Sequence, residues 1–319
     1  MHIVKVFNPM LFTDLKQYSK KQFGSDLIAG VIVAVIALPL SIALAIASGV
    51  APEAGIYTAI IAGLITALFG GSNVQIAGPT AAFATIVAGI VAKSGTDGLM
   101  IATIIAGIIL MIMGFFKLGN LIRFIPFTIT TGFTSGIAVT LLIGQLKDFF
   151  GVTYQNGEAP IGTLDKLKSF FFNATTVNWQ AVLVGVVCLA ILIIWPKIFD
   201  KIPASLLAVA AAIVMVTGFG MKVNTIGDLF TVSGSLPAVH FPQITFSTVI
   251  TLLPDAITIA VLAGIESLLS CVVADGMIGK RHRSNTELIA QGMSNIGSAL
   301  FGGIPATGAI ARTAANIKN

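Results

Sequence analysis

Apolar runs close to membrane-spanning length alternate with short polar breaks along this chain. A helix needs about 20 mainly apolar residues to cross a hydrocarbon core. The runs at 27–48, 53–70, 98–116, 126–146, 179–196, 203–219, 249–274 and 286–301 meet that demand. Two shorter apolar stretches, 78–93 and 308–319, each follow a break that reads Ala-Leu-Phe-Gly-Gly, at Ala67–Gly71 and Ala299–Gly303. The stretches 147–178 and 221–243 are polar and read as loops.

The two breaks are alike beyond those five residues. Gly71–Pro79 (GSNVQIAGP) and Gly302–Ala309 (GGIPATGA) both read as extended backbone leading into a new helix. The first helix restarts near Thr80, with Pro79 in the first turn, where its missing N–H costs nothing. The second restarts with Thr307, Gly308 and Ala309. An odd number of crossing segments separates the copies, so the second enters the membrane from the opposite side. Two like units in opposite orientation mark an inverted-repeat transporter, whose broken helices meet near the midplane. Extended backbone at that depth is tolerated only inside protein or along a wet cavity. Two facing helix N-termini, with small residues that leave their N–H groups accessible, form a site for a small anion. For either break taken alone, a packing kink at a crowded helix crossing is the alternative.

Composition points the same way. Apolar residues make up 56% of the chain and charged residues 10%, with a mean hydropathy of +0.98. Soluble domains carry about 25% charged residues, so lipid must cover the excess apolar surface. The net charge of +5 is scattered in short clusters without interleaved aromatics, which argues against a nucleic-acid partner. The clusters do set an orientation. With a cytoplasmic N-terminus, Lys5, Lys16, Lys20, Lys21, Lys117, Arg123, Lys197, Lys201, Lys280, Arg281 and Arg283 fall inside, against Lys93, Lys147, Lys166, Lys168 and Lys222 outside. The segment Met1–Phe23 has no apolar core leading to a cleavage site, so it does not read as a secretory signal.

Candidate chemistry is sparse. Cys188 and Cys271 sit in apolar runs and read as small core residues. His2, His240 and His282 lie at the terminus or in loops, so no metal site or cofactor is expected. No phosphate-binding glycine motif and no nucleophile–base pair is visible, which leaves secondary transport or a channel rather than an enzyme. Two charges do stand inside apolar sequence, where charge is costly and points to function. Glu266 lies within TIAVLAGIESLLSCVV (Thr258–Val273), and Arg312 lies on the first turns of the second half-helix. Glu266 reads as a proton carrier and Arg312 as added positive charge at the anion site; a structural ion pair between them is the alternative. Ser270, one turn from Glu266, either lines the same cavity or bonds its own helix.

At these residues the sequence resembles the sulfate permease (SulP) family of anion transporters, whose animal members form solute carrier family 26. The resemblance runs from Asp26 to the last residue. It rests on DLIAGVIVAVIALPLSIALAIASGV, APEAGIYTAIIAGLITALFGG, QIAGPTAAF and the long stretch from Glu266 through Lys318. It implies an all-α polytopic membrane protein with a seven-plus-seven inverted repeat. Residues 1–25 would be a cytoplasmic segment, 26–245 the first repeat and 246–319 the start of the second. The anion would sit between the third and tenth segments, at Pro79, Thr80 and Ala81 and at Gly308, Ala309 and Ile310, with Leu40 lining the cavity from the first segment. Glu266 falls on the acidic coupling position of the eighth segment, with Ser270 one turn on. Members coupled to sodium tend to carry Asp and a small residue where this chain has Glu266 and Arg312, which favours a proton, or exchange, over sodium. The family pattern continues with four more membrane segments and a STAS domain, which are expected to be missing from a chain that stops in the tenth segment. The expected partners are a small anion (sulfate first, then bicarbonate or a C4-dicarboxylate), a proton and the bilayer, with homodimerisation of the full-length protein left open. An anion channel or a nucleobase carrier on the same scaffold is the alternative.

Overall fold

A computed structural model of the chain describes residues 7–120, 127–154, 160, 162–199, 203–230, 234 and 237–318. His2, Lys5, Arg123, Lys201 and Asn319 lie outside the described residues, as do position 126 and parts of both polar stretches. In chain order the main elements are α1 (Lys20–Ala47), α2 (Pro52–Phe69), β1 (Ala77–Pro79), α3 (Ala84–Phe115), α4 (Phe127–Phe149), α5 (Thr163–Phe172), α6 (Trp179–Ile198), α7 (Ala204–Ile213), α8 (Phe246–Ile278), α9 (Ser284–Leu300), β2 (Ala306–Gly308) and α10 (Ile310–Lys318). Among the described residues, α1, α2, α3 with its preceding turn, α6 and α8 are long and apolar enough to cross a membrane.

Local chemistry sets the helix ends. Ser19 caps α1, its hydroxyl accepting from the Gln22 N–H at 3.1 Å, and Thr245 caps α8 in the same way through Thr248. Pro52 opens α2, where no intrahelical donor is lost. Gly279 ends α8 at φ 67°, the left-handed conformation that stops a helix and favours glycine. The apolar run 78–93 and its successor 98–116 merge into α3, broken at Gly95 by a non-helical φ of 68° and ψ of −173°.

The chain forms two compact units, Met1–Ile129 with Ser233–Asn319, and Thr130–Val232. The first holds the buried core of Phe83, Ile90, Leu110, Leu252, Ile259, Leu288 and Ile304. Within it α9 crosses α3 closely: a Cβ at Gly107 would meet the Gly292 carbonyl and Ile296, which keeps bulk out of both helices. Although α9 buries Glu287, Gln291, Ser294, Asn295 and Ser298, each makes a hydrogen bond. The second unit holds most of α4 with α5, α6 and α7. There Asn178 donates its N–H to the Phe150 carbonyl at 3.0 Å, and its side chain reaches the Lys222 carbonyl at 2.7 Å.

The polar stretch expected as a loop at 147–178 contains α5. Its Leu164, Leu167, Phe170 and Phe171 recur at three- and four-residue spacing, a helical period that its Asp and Lys content disguised. Cys271 is a buried core residue, as expected, whereas Cys188 is only half-buried; both are free.

Candidate functional site

The two Gly-Gly breaks meet. β1 and β2 pair antiparallel, with Ala77 opposite Gly308, Gly78 opposite Thr307 and Pro79 opposite Ala306. Beyond the ladder, the Ala309 N–H donates to the Ile76 carbonyl at 2.8 Å, and the Ile76 N–H donates to Thr313 Oγ1 at 3.0 Å. An isolated pair of three-residue strands is too short to persist in water, so neighbouring helices supply what the ladder lacks. Asn295 of α9 acts as a substitute strand, its amide both accepting from the Ala306 N–H and donating to the Ala306 carbonyl, each at 2.9 Å. Thr58 of α2 accepts from the Ile304 N–H at 2.7 Å. At the first break, the Gly71 N–H donates to Glu287 Oε2 at 2.8 Å.

Helix α8 lies against β2 and reaches the residues on either side of β1. Its Ser267 hydroxyl accepts from the Gly308 N–H at 3.0 Å. Gln75 inserts on the β1 side, donating to the Ser267 carbonyl at 3.2 Å and accepting from the Ser270 hydroxyl at 2.9 Å. Between those contacts stands Glu266. Its two oxygens accept from the Thr80 hydroxyl at 3.3 Å and the Thr307 hydroxyl at 2.9 Å, one from each break. A carboxylate has no hydrogen to give, so both hydroxyls must donate to it while it is ionised.

Arg312 of α10 is 3% exposed and donates through Nη2 to the Pro79 carbonyl. Its Nε and Nη1 have no hydrogen-bond partner among the described residues. The guanidinium packs where a Cβ on Gly78 would stand, so the glycine is what admits it.

The geometry corrects two expectations and removes one alternative. Pro79 ends β1 rather than sitting in a helical turn, and Thr80 is the cap of the short Ala81–Phe83 turn that leads into α3. Thr307 and Gly308 belong to β2, and α10 begins at Ile310, because the ladder claims the backbone groups a helix would need. Glu266 and Arg312 do not form an ion pair among the described residues. Hydroxyls serve one and a carbonyl the other.

The structure therefore brings Pro79, Thr80, Gly308, Glu266, Ser270 and Arg312 into one bonded cluster. Ala81 and Ala309 flank it half-buried, and Ile310 is exposed on the first turn of α10. Leu40 stands apart from the cluster's hydrogen bonds. It lies 39% exposed on α1, a helix that packs against β1 and α10. Sequence reasoning missed Gln75, Ser267, Thr313 and Asn295. Only Gln75 left a signal, as a long polar side chain set between Val74 and Ile76 on the approach to Pro79.

Known proteins carry the same arrangement of sequence and fold. The profile described as "Sulfate permease family" matches residues 23–319. A Bacillus subtilis (strain 168) protein named "Putative sulfate transporter YvdB" is 45% identical over 306 residues, 95% of this chain and 57% of its own length. "Bicarbonate transporter BicA" of Picosynechococcus sp. is 34% identical, over 92% of this chain and 53% of its own. The chain thus spans little more than half the length of these relatives. The solved transmembrane domain of a cyanobacterial BicA superposes with a TM-score of 0.83 at 32% identity, covering 94% of this chain and 78% of that one. Murine Slc26a9, named as an anion transporter in the inward-facing state, shares the fold at a TM-score of 0.84 and 17% identity, over 98% of this chain and 56% of that one. The fold is the inverted-repeat membrane fold of these domains.

Proposed function

The chain belongs to the sulfate permease family, and on that premise we propose that it forms the substrate-binding part of a secondary active transporter of small anions working by alternating access. Sulfate is the first substrate we assign, followed by bicarbonate, for which a similar protein is named, and by C4-dicarboxylates. One observation carries this reading. Arg312 is buried at the junction of both breaks with Nε and Nη1 unpaired. A buried cation without its full set of partners is expensive. An anion received between the first turns of the two half-helices completes it, with the N–H groups those turns leave unpaired.

Coupling follows from the hydroxyls. While Glu266 is ionised, Thr80 and Thr307 both donate to it, and only their lone pairs face an approaching anion. A proton on Glu266 releases a hydroxyl to donate to the anion and removes the nearby negative charge. Thr307 has an alternative acceptor in the Gly308 carbonyl at 3.3 Å, so Thr80 is the hydroxyl we assign to substrate. Residues 26–245 and 246–319 are the two repeats in this reading, in a multi-pass protein of the cell membrane with its N-terminus in the cytoplasm. Sulfate uptake into proteoliposomes under an inward proton gradient tests it. Glu266→Gln is expected to abolish the proton-driven component, and undiminished proton-driven uptake would remove Glu266 from coupling.

A further inference from the structure

Three segments far apart in sequence converge on the first turn of α9. Arg283, just before that helix, donates from Nη1 to the carbonyls of Asn8 at 2.8 Å and Pro9 at 3.4 Å, and from Nη2 to Thr13 Oγ1 at 3.1 Å. The Asn8 N–H donates to Thr286 Oγ1 at 3.2 Å. Gly119, beyond the end of α3, donates its N–H to Asn285 Oδ1 at 3.0 Å. The α8–α9 loop itself is closed by Asp275, which accepts from the His282 N–H at 3.0 Å and meets the His282 ring at 2.7 Å.

The segments gathered in this way share a pattern. Phe12 and Leu15 are 59% and 54% exposed beside exposed Lys16. Phe116 is 75% exposed beside exposed Lys117. The α8–α9 loop adds exposed Lys280 and Arg281. The acidic groups of the same region are Asp14, Asp26, Asp275 and the buried Glu287. Against them stand Lys16, Lys20, Lys21, Lys117, Lys280, Arg281 and Arg283, so cations outnumber carboxylates on the rim. Phe23, Leu27 and Ile28, in the first half of α1, are exposed as well.

We propose that this rim docks on anionic phospholipid headgroups, with Phe12, Leu15 and Phe116 in the acyl boundary and Lys16, Lys117 and Arg281 on phosphates. Aromatic and aliphatic side chains alternating with cations suit the interface between hydrocarbon and headgroup. A soluble anion has no use for the apolar half of that pattern. The hydrogen bonds around Arg283 and Asn285 hold the backbone in place beforehand, so little ordering remains to be done on binding. Each cation at an anionic surface is worth about fivefold in affinity.

The test is to melt the purified protein in phosphatidylcholine nanodiscs with and without phosphatidylglycerol, and to count retained phosphatidylglycerol by native mass spectrometry. Phosphatidylglycerol is expected to raise the melting temperature and be retained, and high salt is expected to cancel the gain. The triple variant Lys16→Gln, Lys117→Gln, Arg281→Gln should lose the gain while melting normally in phosphatidylcholine. Lys168→Gln with Lys222→Gln, exposed in the other unit, should keep it. Phe12→Ser with Phe116→Ser should weaken it with all charges intact. Equal melting of the native protein in both lipids, a full gain in the triple variant, or the same gain from inorganic phosphate would each overturn the proposal.

Discussion

Arg312 and Glu266 reach the same pair of strands with opposite charges, yet each is bonded to something else. Arg312 holds the Pro79 carbonyl and Glu266 is held by Thr80 and Thr307. In the proposed function, that separation lets Arg312 hold an anion while Glu266 exchanges a proton. Thr80→Val removes the hydroxyl assigned to both Glu266 and substrate, while Thr80→Ser keeps it. Proton-driven sulfate uptake should fall about tenfold in the first, the worth of a hydrogen bond to a charged group, and recover in the second. Equal uptake in both would exclude Thr80 from the proton link. Both charges are legible in the sequence because each interrupts an apolar run. Their partners are not, because a backbone carbonyl and two threonines among small residues leave no pattern until the breaks are brought together.

At the scale of elements, the half-helices depend on a ladder of only three residues per strand. Such strands have no periodicity to read, so the sequence predicts extended backbone at both breaks but not that they pair. It places the second helix start too early for the same reason. The ladder takes Thr307 and Gly308. Asn295 is the clearest structural dependency, since it bonds both backbone groups of Ala306 in a fully buried position. Asn295→Leu leaves that N–H and carbonyl unpaired and should cost about 1–3 kcal/mol for each group. Thermal melting of the purified variant checks this, and an unchanged midpoint would show that the strand pair does not need α9. At the α3–α9 crossing, Gly292→Val drives a side chain into the Gly107 backbone. Overpacking of this kind costs about 1–3 kcal/mol, read as a lowered melting temperature. Normal melting would mean that the helices can separate at no cost.

For the whole molecule, apolar composition and the two inverted breaks foretell a polytopic inverted-repeat protein, and the fold agrees. The division into two units, by contrast, depends on contacts between distant segments and has no local signature. The positive charges set a topology that labelling can check. Lys280→Cys should react with an impermeant maleimide only after cells are opened, and Lys222→Cys should react in intact cells, both read above the background of Cys188 and Cys271. The reverse pattern would invert the protein in its membrane. The central claim is that an anion completes Arg312 between the two half-helices, and sulfate binding to the purified protein tests it most directly. Native protein should bind radiolabelled sulfate saturably, and Arg312→Ala should bind it at least about tenfold more weakly; equal affinity in the two proteins would contradict the account.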